Sequence, residues 1–255
     1  MASLTLMTYN VHRCLGRDGK ISPQRIAKVI RQGSPEIIAL QELDCRLART
    51  GSVDQARVIA DLLTMQFHFH ACLQMEKGFY GNAVLSRFPL RLVQAEALPT
   101  FPSKPGMERR GAVWVEVPVG PFRVQIINTH LGLGQRERLI QAEHLAGPGW
   151  LKNPECRPPV VLCGDLNALP ASPVHRLFRN LLSDATRLGI SRRISGTWPS
   201  LLPLFRIDHV FVSREVKVRR AAVLRTPLAR LASDHLPLLA ELVLPSFQVI
   251  GERPA

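Results

Sequence analysis

Seven polar side chains of the kinds that bind metals and move protons occur where apolar runs of the chain end or begin. They are Asn10, Glu42, His130, Asp165, Asn167, Asp234 and His235. Residues 4–9 form such a run before Asn10, and residues 160–163 form another before Asp165. Because strand ends hold side chains rigidly at the rim of a sheet, this placement predicts that the seven converge on one site.

This set combines carboxylate and amide oxygens with imidazole nitrogens. Hard oxygen ligands suit Mg²⁺ or Mn²⁺, which proteins hold through a few side chains and several waters. Such an ion polarises a phosphoryl oxygen and offsets charge that develops in the transition state, while a histidine with a pKa near neutrality transfers protons. Metal, acid and base in one place therefore predict hydrolysis of a phosphate ester.

Each of these residues also has a structural interpretation when it is taken singly. Asn10 suits a turn, Glu42 suits a solvated loop, and the segment 165–167 suits an Asx turn at a strand end. Asp208 begins a strand-like run, where exposure is common. Six further histidines lack a comparable context and are interpreted as structural or surface residues: His12, His68, His70, His144, His175 and His209.

Helix start and stop signals separate the apolar runs. Ser22 is predicted to cap a helix that has Pro23 at its first position and Gly33 just past its end. Ser52, with Gln55 three residues later, forms a capping box for a second helix. Two more helices are expected, one at about 135–145 and one that begins at Ser172-Pro173.

The apolar runs themselves are typical of strands in two environments. Uninterrupted runs at 36–40 and 160–163 predict strands covered on both faces, whereas alternating runs at 112–117 and 122–126 predict one polar face. Further strands are expected at 83–85 and 90–92, on either side of a turn at 86–89, and at 207–212 and 236–243. These patterns predict two stacked sheets with helices outside. We expect one domain over residues 1–245 and a loose tail at 246–255.

The composition favours a globular protein with an anionic partner. The chain has 255 residues, 46% of them hydrophobic, and a formal net charge of +13. The basic residues are 27 Arg against 6 Lys, and the planar guanidinium group suits phosphate better than an ammonium group does. A solvated basic surface is the alternative interpretation.

Cysteine content and hydropathy limit the metal class and the location. The five cysteines are odd in number, and neither C-x-x-C nor H-E-x-x-H occurs, so reduced thiols are favoured over disulfides or a zinc site. No signal peptide and no apolar run of transmembrane length is visible. We expect a soluble, monomeric, cytoplasmic protein.

Eight short motifs follow one another along residues 9–237. They are Tyr9-Asn10-Val11-His12, Gln41-Glu42, Gly81-Asn82-Ala83-Val84-Leu85-Ser86-Arg87, Arg110-Gly111, Asn128-Thr129-His130-Leu131, Gly164-Asp165-Leu166-Asn167-Ala168, Arg206-Ile207-Asp208 and Ser233-Asp234-His235-Leu236-Pro237. Together and in this order they resemble the endonuclease/exonuclease/phosphatase superfamily. At the motif that contains His130, the chain resembles the deoxyribonuclease I, neutral sphingomyelinase and inositol-phosphate phosphatase members of this superfamily. The apurinic endonucleases carry a Tyr-containing motif at the same position. The segment 196–199 resembles small bacterial members.

The resemblance implies a fold and a set of roles. The fold would be a four-layer α/β-sandwich in which helices flank two central mixed sheets. Glu42 would be the principal ligand of Mg²⁺ or Mn²⁺, with Asn10 and Asp234 nearby, directly or through water. Among the implied catalytic residues, Asp165 and Asn167 would orient or activate the attacking water. His235, held by Asp208, would stabilise the scissile phosphate or act as a base. His130 would stabilise or protonate the leaving oxygen. The implied substrate-binding residues are Asn82, Arg110 and Trp198.

Charge near the Asp208 motif bears on the substrate. Residues 187–230 hold ten Lys or Arg against two acids, which predicts a basic rim beside the site. A nucleic acid backbone is the first candidate for such a rim, and an anionic phospholipid or an inositol phosphate is the second. A non-catalytic binding domain of the same fold is a third alternative. The presence of all the implied catalytic residues, together with Glu42, argues against it. The apolar run at 201–205 is a candidate membrane-contacting loop, although we interpret it as a core segment.

Overall fold

The strands and helices form where the residue pattern changes along the chain. The computed structural model describes residues 2–75, 77–100, 108–189 and 196–245, so the predicted tail at 246–255 lies outside it. Among the described residues the strands are β1 (Ser3–Asn10), β2 (Ile37–Cys45), β3 (Gln66–Met75), β4 (Gly78–Ser86), β5 (Arg91–Ala97), β6 (Gly111–Val119), β7 (Phe122–His130), β8 (Val160–Asp165), β9 (Ser183–Asp184), β10 (Asp208–Val212), β11 (Lys217–Val223) and β12 (Leu238–Val243). In the same ranges the helices are α1 (Pro23–Gly33), α2 (Gln55–Leu63), α3 (Gln135–Leu145), α4 (Pro173–Leu181), α5 (Ala185–Leu188) and α6 (Pro227–Ala232), with 3-10 turns at His12–Cys14 and Ala48–Thr50.

The strands form two mixed sheets, and each sheet has one pair of adjacent parallel strands near its middle. The first sheet has the order β11-β12-β1-β2-β4-β3, and the second has the order β5-β6-β7-β8-β10-β9. β1 and β2 run parallel in the first sheet, as β7 and β8 do in the second, and the neighbouring strands pair antiparallel. Each sheet therefore brings the carboxyl ends of two adjacent parallel strands to one edge.

Apolar side chains fill the spaces between four layers. The central cluster lies between the sheets and includes Leu6, Val115 and Val161. A second cluster packs the outer face of the first sheet against α1, α2 and α6, and a third packs the outer face of the second sheet against α3 and α4. Successive strand residues face opposite ways, so Val113 joins the central cluster and Trp114 the outer one. The expected four-layer α/β-sandwich is confirmed.

Serine caps begin two of the predicted helices, whereas two other helix ends differ from the prediction. The Ser22 hydroxyl accepts the amide of Arg25 at the start of α1, and Ser172 caps α4 in the same way. At the end of α1, Gly33 is still helical and Ser34 takes the left-handed conformation. At the start of α2 the cap is Asp54 rather than Ser52, because Asp54 directly precedes the first helical residue.

Several strands also differ from the prediction. β2 does not end at Leu40 but continues past an irregularity in its pairing with β4. β3 and β11 were not expected, because their sequences lack a sustained apolar run. The turn at 86–89 does not close a hairpin. It carries the chain from β4 in the first sheet to β5 in the second.

The apolar run at 201–205 is a surface loop, so its interpretation as a core segment is wrong. Leu201, Leu202 and Leu204 are 55%, 64% and 64% exposed. Trp198 and Phe205 pair as an isolated bridge, which turns the chain back at the surface and leaves these leucines outside the three apolar clusters. Across the described ranges, no helix is both long enough and apolar enough to span the hydrocarbon core of a membrane.

Candidate active site

The two parallel strand pairs end at the same place, and their last side chains meet there. Asn10 ends β1, and His130 at the end of β7 lies opposite Asp165 at the end of β8. The Asn10 amide nitrogen donates to Glu42 Oε1 at 2.9 Å and to Asp165 Oδ2 at 3.0 Å. Glu42 belongs to the first sheet and Asp165 to the second, so this one amide joins the two sheets at the site.

A local break in strand geometry directs Glu42 into the site. Glu42 has φ of 60°, and the pairing of β2 with β4 shifts register between Leu40 and Leu43. An extra residue in a strand re-aims the side chains around it. Gln41 consequently points between the sheets, where its amide donates to Asn128 Oδ1 at 2.7 Å. The Glu42 carboxylate, one fifth exposed, faces the cleft.

Burial and the neighbouring Arg110 keep His130 as a neutral imidazole. The Arg110 guanidinium lies 3.0 Å from His130 Nδ1. Since arginine only donates hydrogen bonds, Nδ1 must accept, which places the proton of the neutral ring on Nε2. Nε2 also lies 3.1 Å from the side-chain amide nitrogen of Asn167. Burial, together with the charges of Arg110 and His235, holds the pKa of His130 well below its ordinary value. His130 Nε2 lies 3.4 Å from Asp165 Oδ2 and 4.0 Å from Glu42 Oε1.

His235 is the opposite case, because carboxylates surround it. Its Nδ1 lies 2.9 Å from Asp208 Oδ2, and its Nε2 lies 3.6 Å from Asp165 Oδ2. Burial favours neutral His235, but the charges of Asp208 and Asp165 outweigh it and raise the pKa of His235. Burial also raises the pKa of Asp165, against the opposing effect of His235. The cleft thus contains one cationic and one neutral histidine on either side of Asp165.

Asp234 lies at the more open side of the cleft. Its Oδ2 accepts the indole N–H of Trp198 at 3.3 Å, and its Oδ1 lies 3.6 Å from His12 Nδ1. His12, interpreted from sequence as structural, therefore touches one of the predicted metal ligands. The sequence did contain a signal for His12, because it stands only two residues after Asn10. In the structure, the amide of His12 donates to the side-chain oxygen of Asn10.

The charge balance of the cleft fits a bound cation. In the described part of the chain, four carboxylates lie together here, from Glu42, Asp165, Asp208 and Asp234, and His235 is the cation set among them. Arg110 is paired with Glu108 at 3.1 Å, His130 is neutral, and Arg138 is a further cation that lines the cleft. Asp165, Asp208 and His235 have ligand atoms within 4.8 Å of one another, but those atoms already bind each other. Glu42 and Asp234, with more exposed carboxylates, are better placed for a hard divalent ion.

The cleft has a polar floor and largely apolar walls around a volume of about 680 Å³. Eight of the eleven predicted site residues line it: Glu42, Arg110, His130, Asp165, Asn167, Trp198, Asp234 and His235. Asn10 and Asp208 lie behind the floor and bind residues on it. The amide of Asn82 donates to the Gly111 carbonyl next to Arg110, so it supports the strand rather than lining the cleft. The walls include Leu133, Leu139, Leu169, Val174, Phe205 and Ile207.

A buried polar network beneath the cleft was not predicted from sequence. Asp184 pairs with Arg206 at 3.0 Å and with His175 Nε2 at 2.9 Å. Burial opposes the charge of Asp184, but His175 and Arg206 outweigh it and lower its pKa. His209 completes the network, since its Nδ1 lies 3.1 Å from Arg206 Nη1.

This network holds the loop that follows Asn167. His209 Nε2 lies 2.7 Å from the carbonyl oxygen of Ala168, and His175 Nδ1 accepts the amide of Ala171 at 3.2 Å. Every imidazole nitrogen of the pair is thus in use, so the cluster of His175, Asp184 and His209 is better explained as structural support than as a metal site. Asn167 has φ of 48°, a conformation that requires such support in a residue other than glycine.

Known proteins resemble this chain over nearly its whole length. A model of the Endonuclease/Exonuclease/phosphatase family matches residues 7–235. The uncharacterised protein YbhP of Escherichia coli is 27% identical over 252 residues, which cover 94% of this chain and 96% of YbhP.

Solved structures share the fold. An endonuclease/exonuclease/phosphatase from Beutenbergia cavernae superposes with a TM-score of 0.80 at 26% identity, over 98% of this chain and 73% of that one. A mannosyl-6-phosphatase of Bacteroides thetaiotaomicron gives a TM-score of 0.75 at 23% identity, over 94% of this chain and all of that one. At that identity the second match supports the fold alone.

Proposed function

Because the chain belongs to the endonuclease/exonuclease/phosphatase family, whose members hydrolyse phosphate esters, we propose that it is a phosphodiesterase dependent on Mg²⁺ or Mn²⁺. The observation that carries the proposal is the cleft itself. Asn10 joins the carboxylates of Glu42 and Asp165 there, and a neutral His130 and a cationic His235 flank Asp165. A metal position, a base and two phosphate-facing imidazoles are the parts that attack of water on a phosphodiester requires.

Three residues would hold the ion. Glu42 would bind it directly, with Asp234 and Asn10 beside it, and the bound ion would polarise the scissile phosphate. Asn10 has a second part in the chain's own chemistry, because its amide nitrogen fixes the orientations of Glu42 and Asp165. Its side-chain oxygen accepts the His12 amide at 3.0 Å, so contact with the ion through water suits it better than direct ligation.

Asp165 is the proposed base for the attacking water. Its Oδ1 accepts the amide of Asn167 at 2.9 Å, which leaves Oδ2 facing the two histidines. A raised pKa makes a carboxylate a stronger base, so the burial of Asp165 suits this role. The Asn167 side chain, which donates to the Leu131 carbonyl at 2.9 Å, would position the water.

The two histidines are proposed to act on opposite sides of the phosphate. His235, cationic and held by Asp208, would donate Nε2–H to a phosphoryl oxygen and offset its growing charge. His130, neutral with its proton on Nε2, would donate a hydrogen bond to the leaving oxygen. Its low pKa favours stabilisation of that oxygen over full protonation from an imidazolium.

A soluble bis-aryl phosphodiester tests the reaction class without assuming a natural substrate. We expect turnover with Mg²⁺ or Mn²⁺, complete loss in excess chelator, and recovery when the metal is restored. The matched control is Asp165→Asn, which keeps the shape of the side chain and removes the base. Full turnover in excess chelator would sink the metal proposal, and equal rates in the control would remove Asp165 from the mechanism.

Two substrate classes remain candidates, and the described basic residues bear on both. Arg206 is buried in its pair with Asp184, whereas Arg219 and Arg220 are exposed on β11, which belongs to the other sheet from β10. Arg206 is therefore not part of an exposed basic rim, and Arg192 and Arg193 lie outside the described ranges. The apolar walls of the cleft favour a phosphate ester with an apolar part.

A turnover panel distinguishes these classes. It comprises plasmid DNA, an abasic oligonucleotide, sphingomyelin and an inositol phosphate beside the bis-aryl diester. A nucleic acid substrate predicts steep salt dependence, with roughly 0.9 added to the log–log slope for each duplex phosphate neutralised, and a flatter slope in Arg192→Glu/Arg193→Glu. The non-catalytic alternative predicts no turnover of any member of the panel.

A further inference from the structure

Three loops around the mouth of the cleft carry exposed apolar side chains. Leu133, which follows β7, is 73% exposed, and Leu169, which follows β8, is 47% exposed. The third loop, between Trp198 and Phe205, presents Leu201, Leu202 and Leu204. Leu133, Leu169 and Phe205 also line the cleft, so the loops border one opening. We call residues 131–136, 168–173 and 198–206 the apolar rim.

In each loop of the apolar rim, a backbone carbonyl accepts a hydrogen bond from an arginine side chain. Arg138 donates to the carbonyl of Leu133, Arg176 donates to that of Ala171 at 2.8 Å, and Arg230 donates to that of Leu201 at 2.6 Å. Each bond uses one guanidinium nitrogen, Nη1, of a group that carries five N–H donors. An arginine anchored in this way still presents donors to a phosphate, at the edge of an apolar surface.

The apolar rim has no negative charge of its own. Its three segments contain no Asp or Glu, and the whole chain has a formal net charge of +13. Of the acidic side chains that line the cleft, Glu42 and Asp165 lie on its floor, whereas Asp234 and Glu108 are more exposed and contact Trp198 and Arg110. Within the three segments, a flat anionic surface would meet leucines and arginines and no carboxylate.

We propose that the apolar rim docks on an anionic lipid bilayer, with its leucines in the interface and Arg138, Arg176 and Arg230 against lipid phosphates, so that the cleft opens onto phosphodiester headgroups. Transfer of exposed leucines out of water lowers the free energy of the system. Electrostatic attraction between guanidinium groups and anionic headgroups lowers it further. The proposal rests on the proposed phosphodiester hydrolysis and names its substrate class.

Two other occupants of the rim fit these observations less well. A nucleic acid backbone offers phosphates to the arginines but no apolar phase to Leu201, Leu202 and Leu204. A second copy of the chain in a two-fold contact would offer leucines, but it would bring together two surfaces that carry the same three arginines. Only an anionic amphiphile satisfies both the leucines and the arginines.

Sedimentation with lipid vesicles tests the docking without any enzymatic assay. We expect the protein to bind phosphatidylcholine vesicles that contain phosphatidylglycerol more tightly than vesicles of phosphatidylcholine alone. The triple variant Leu201→Ser/Leu202→Ser/Leu204→Ser should lose about 1000-fold in partitioning, since each buried leucine contributes roughly tenfold. Arg176→Gln and Arg230→Gln should each cost about fivefold on the anionic vesicles and little on the neutral ones.

The matched control replaces three exposed leucines that lie away from the cleft. Leu62, Leu92 and Leu188 are 37%, 45% and 50% exposed, and their replacement by serine should leave vesicle binding unchanged. Equal losses in the control and the rim variant would overturn the proposal. So would retention on duplex DNA in place of vesicles, or a dimer in light scattering that the rim variant converts to monomer.

Activity assays separate this proposal from the one on which it rests. The rim variant should turn over the soluble bis-aryl diester at the wild-type rate, because the three leucines do not line the cleft. Its kcat/KM on a long-chain phosphodiester in anionic vesicles should fall by the factor seen in binding. Vesicle binding without hydrolysis of any diester would overturn the proposed hydrolysis and leave the docking, whereas diester hydrolysis without vesicle binding would overturn the docking alone.

Discussion

The guanidinium group of Arg110 lies 3.0 Å from Nδ1 of His130, and this contact decides where the imidazole carries its proton. Arg110 comes immediately before β6, His130 ends β7, and the two strands pair so that Gly111 lies opposite His130. The backbone register therefore fixes the tautomer of a residue that faces the cleft. A donor on one imidazole nitrogen commits the other nitrogen to donate in turn.

Arg110→Ala should reduce kcat by about 10- to 100-fold, the usual scale for removing a group that orients a catalytic residue. Without the Arg110 donor, His130 is free to protonate at Nδ1 instead of Nε2. Nitrogen chemical shifts of ¹⁵N-labelled histidine report that tautomer directly. The control is Arg109→Ala, because Arg109 is exposed and adjacent. An unchanged tautomer in the Arg110 variant would contradict this account.

Asp165→Asn and His235→Ala should each lower the rate by about 10² or more, the scale of general acid–base catalysis. The Asn variant should also keep or raise the thermal midpoint, because burial disfavours the charged carboxylate that the substitution removes. Asp61→Asn, on the exposed side of α2, is the matched control. Differential scanning calorimetry beside the diester assay measures both quantities, and a lower midpoint in the Asp165 variant would refute the stability argument.

Mg²⁺ or Mn²⁺ should stabilise the folded protein, and Glu42→Gln should abolish that effect. A ligand at 100 times its Kd adds about 2.7 kcal/mol to the free energy of unfolding. Thermal unfolding at increasing metal concentrations measures it without substrate. Glu143→Gln, at an exposed position on α3, is the control. Equal metal-induced shifts in Glu42→Gln and the wild type would show that Glu42 is not the principal ligand.

His209 should make the protein less stable as the pH falls below about 6.5. Burial, together with the charge of Arg206, lowers the pKa of His209 to about 3. The unfolded chain therefore takes up a proton near pH 6.5, its ordinary pKa, while the folded chain does not until about pH 3. Stability is complete above pH 6.5 and declines towards pH 3, by up to about 1.4 kcal/mol per pH unit.

His209→Gln isolates this effect, because glutamine keeps a donor and an acceptor but does not titrate. The variant should be less stable than the wild type at pH 8. Its deficit should shrink by about 2 kcal/mol at pH 5, where the wild type alone bears the proton penalty. Urea unfolding at both pH values measures the difference, and a deficit that stays constant would assign no proton linkage to His209.

The convergence of the candidate site residues could be predicted from sequence largely because several of them lie at strand ends. Asn10, His130 and Asp165 each end a strand that the apolar pattern predicts, and sheet topology brings such ends together. The orientation of Glu42 could not be predicted from the apolar pattern of the sequence. A register shift and a positive φ direct it into the cleft from within β2, whereas the sequence suggested a loop.

Two features could not be predicted because they depend on partners distant in the sequence. His175, Asp184 and His209 form a network only after α4, β9 and β10 have packed, and no motif spans them. The run at 201–205 has the hydropathy of a core segment. Whether a hydrophobic run is buried depends on whether another layer covers it, and the loop between Trp198 and Phe205 has no such cover among the described residues.

The division of the site between two sheets has a consequence for a chain still emerging from the ribosome. The first sheet begins with β1 and β2 but is completed only by β11 and β12, after every strand of the second sheet has been synthesised. Asp234 and His235 immediately precede β12, which pairs with β1. A nascent chain should therefore lack the proposed hydrolytic activity until its last strand is inserted.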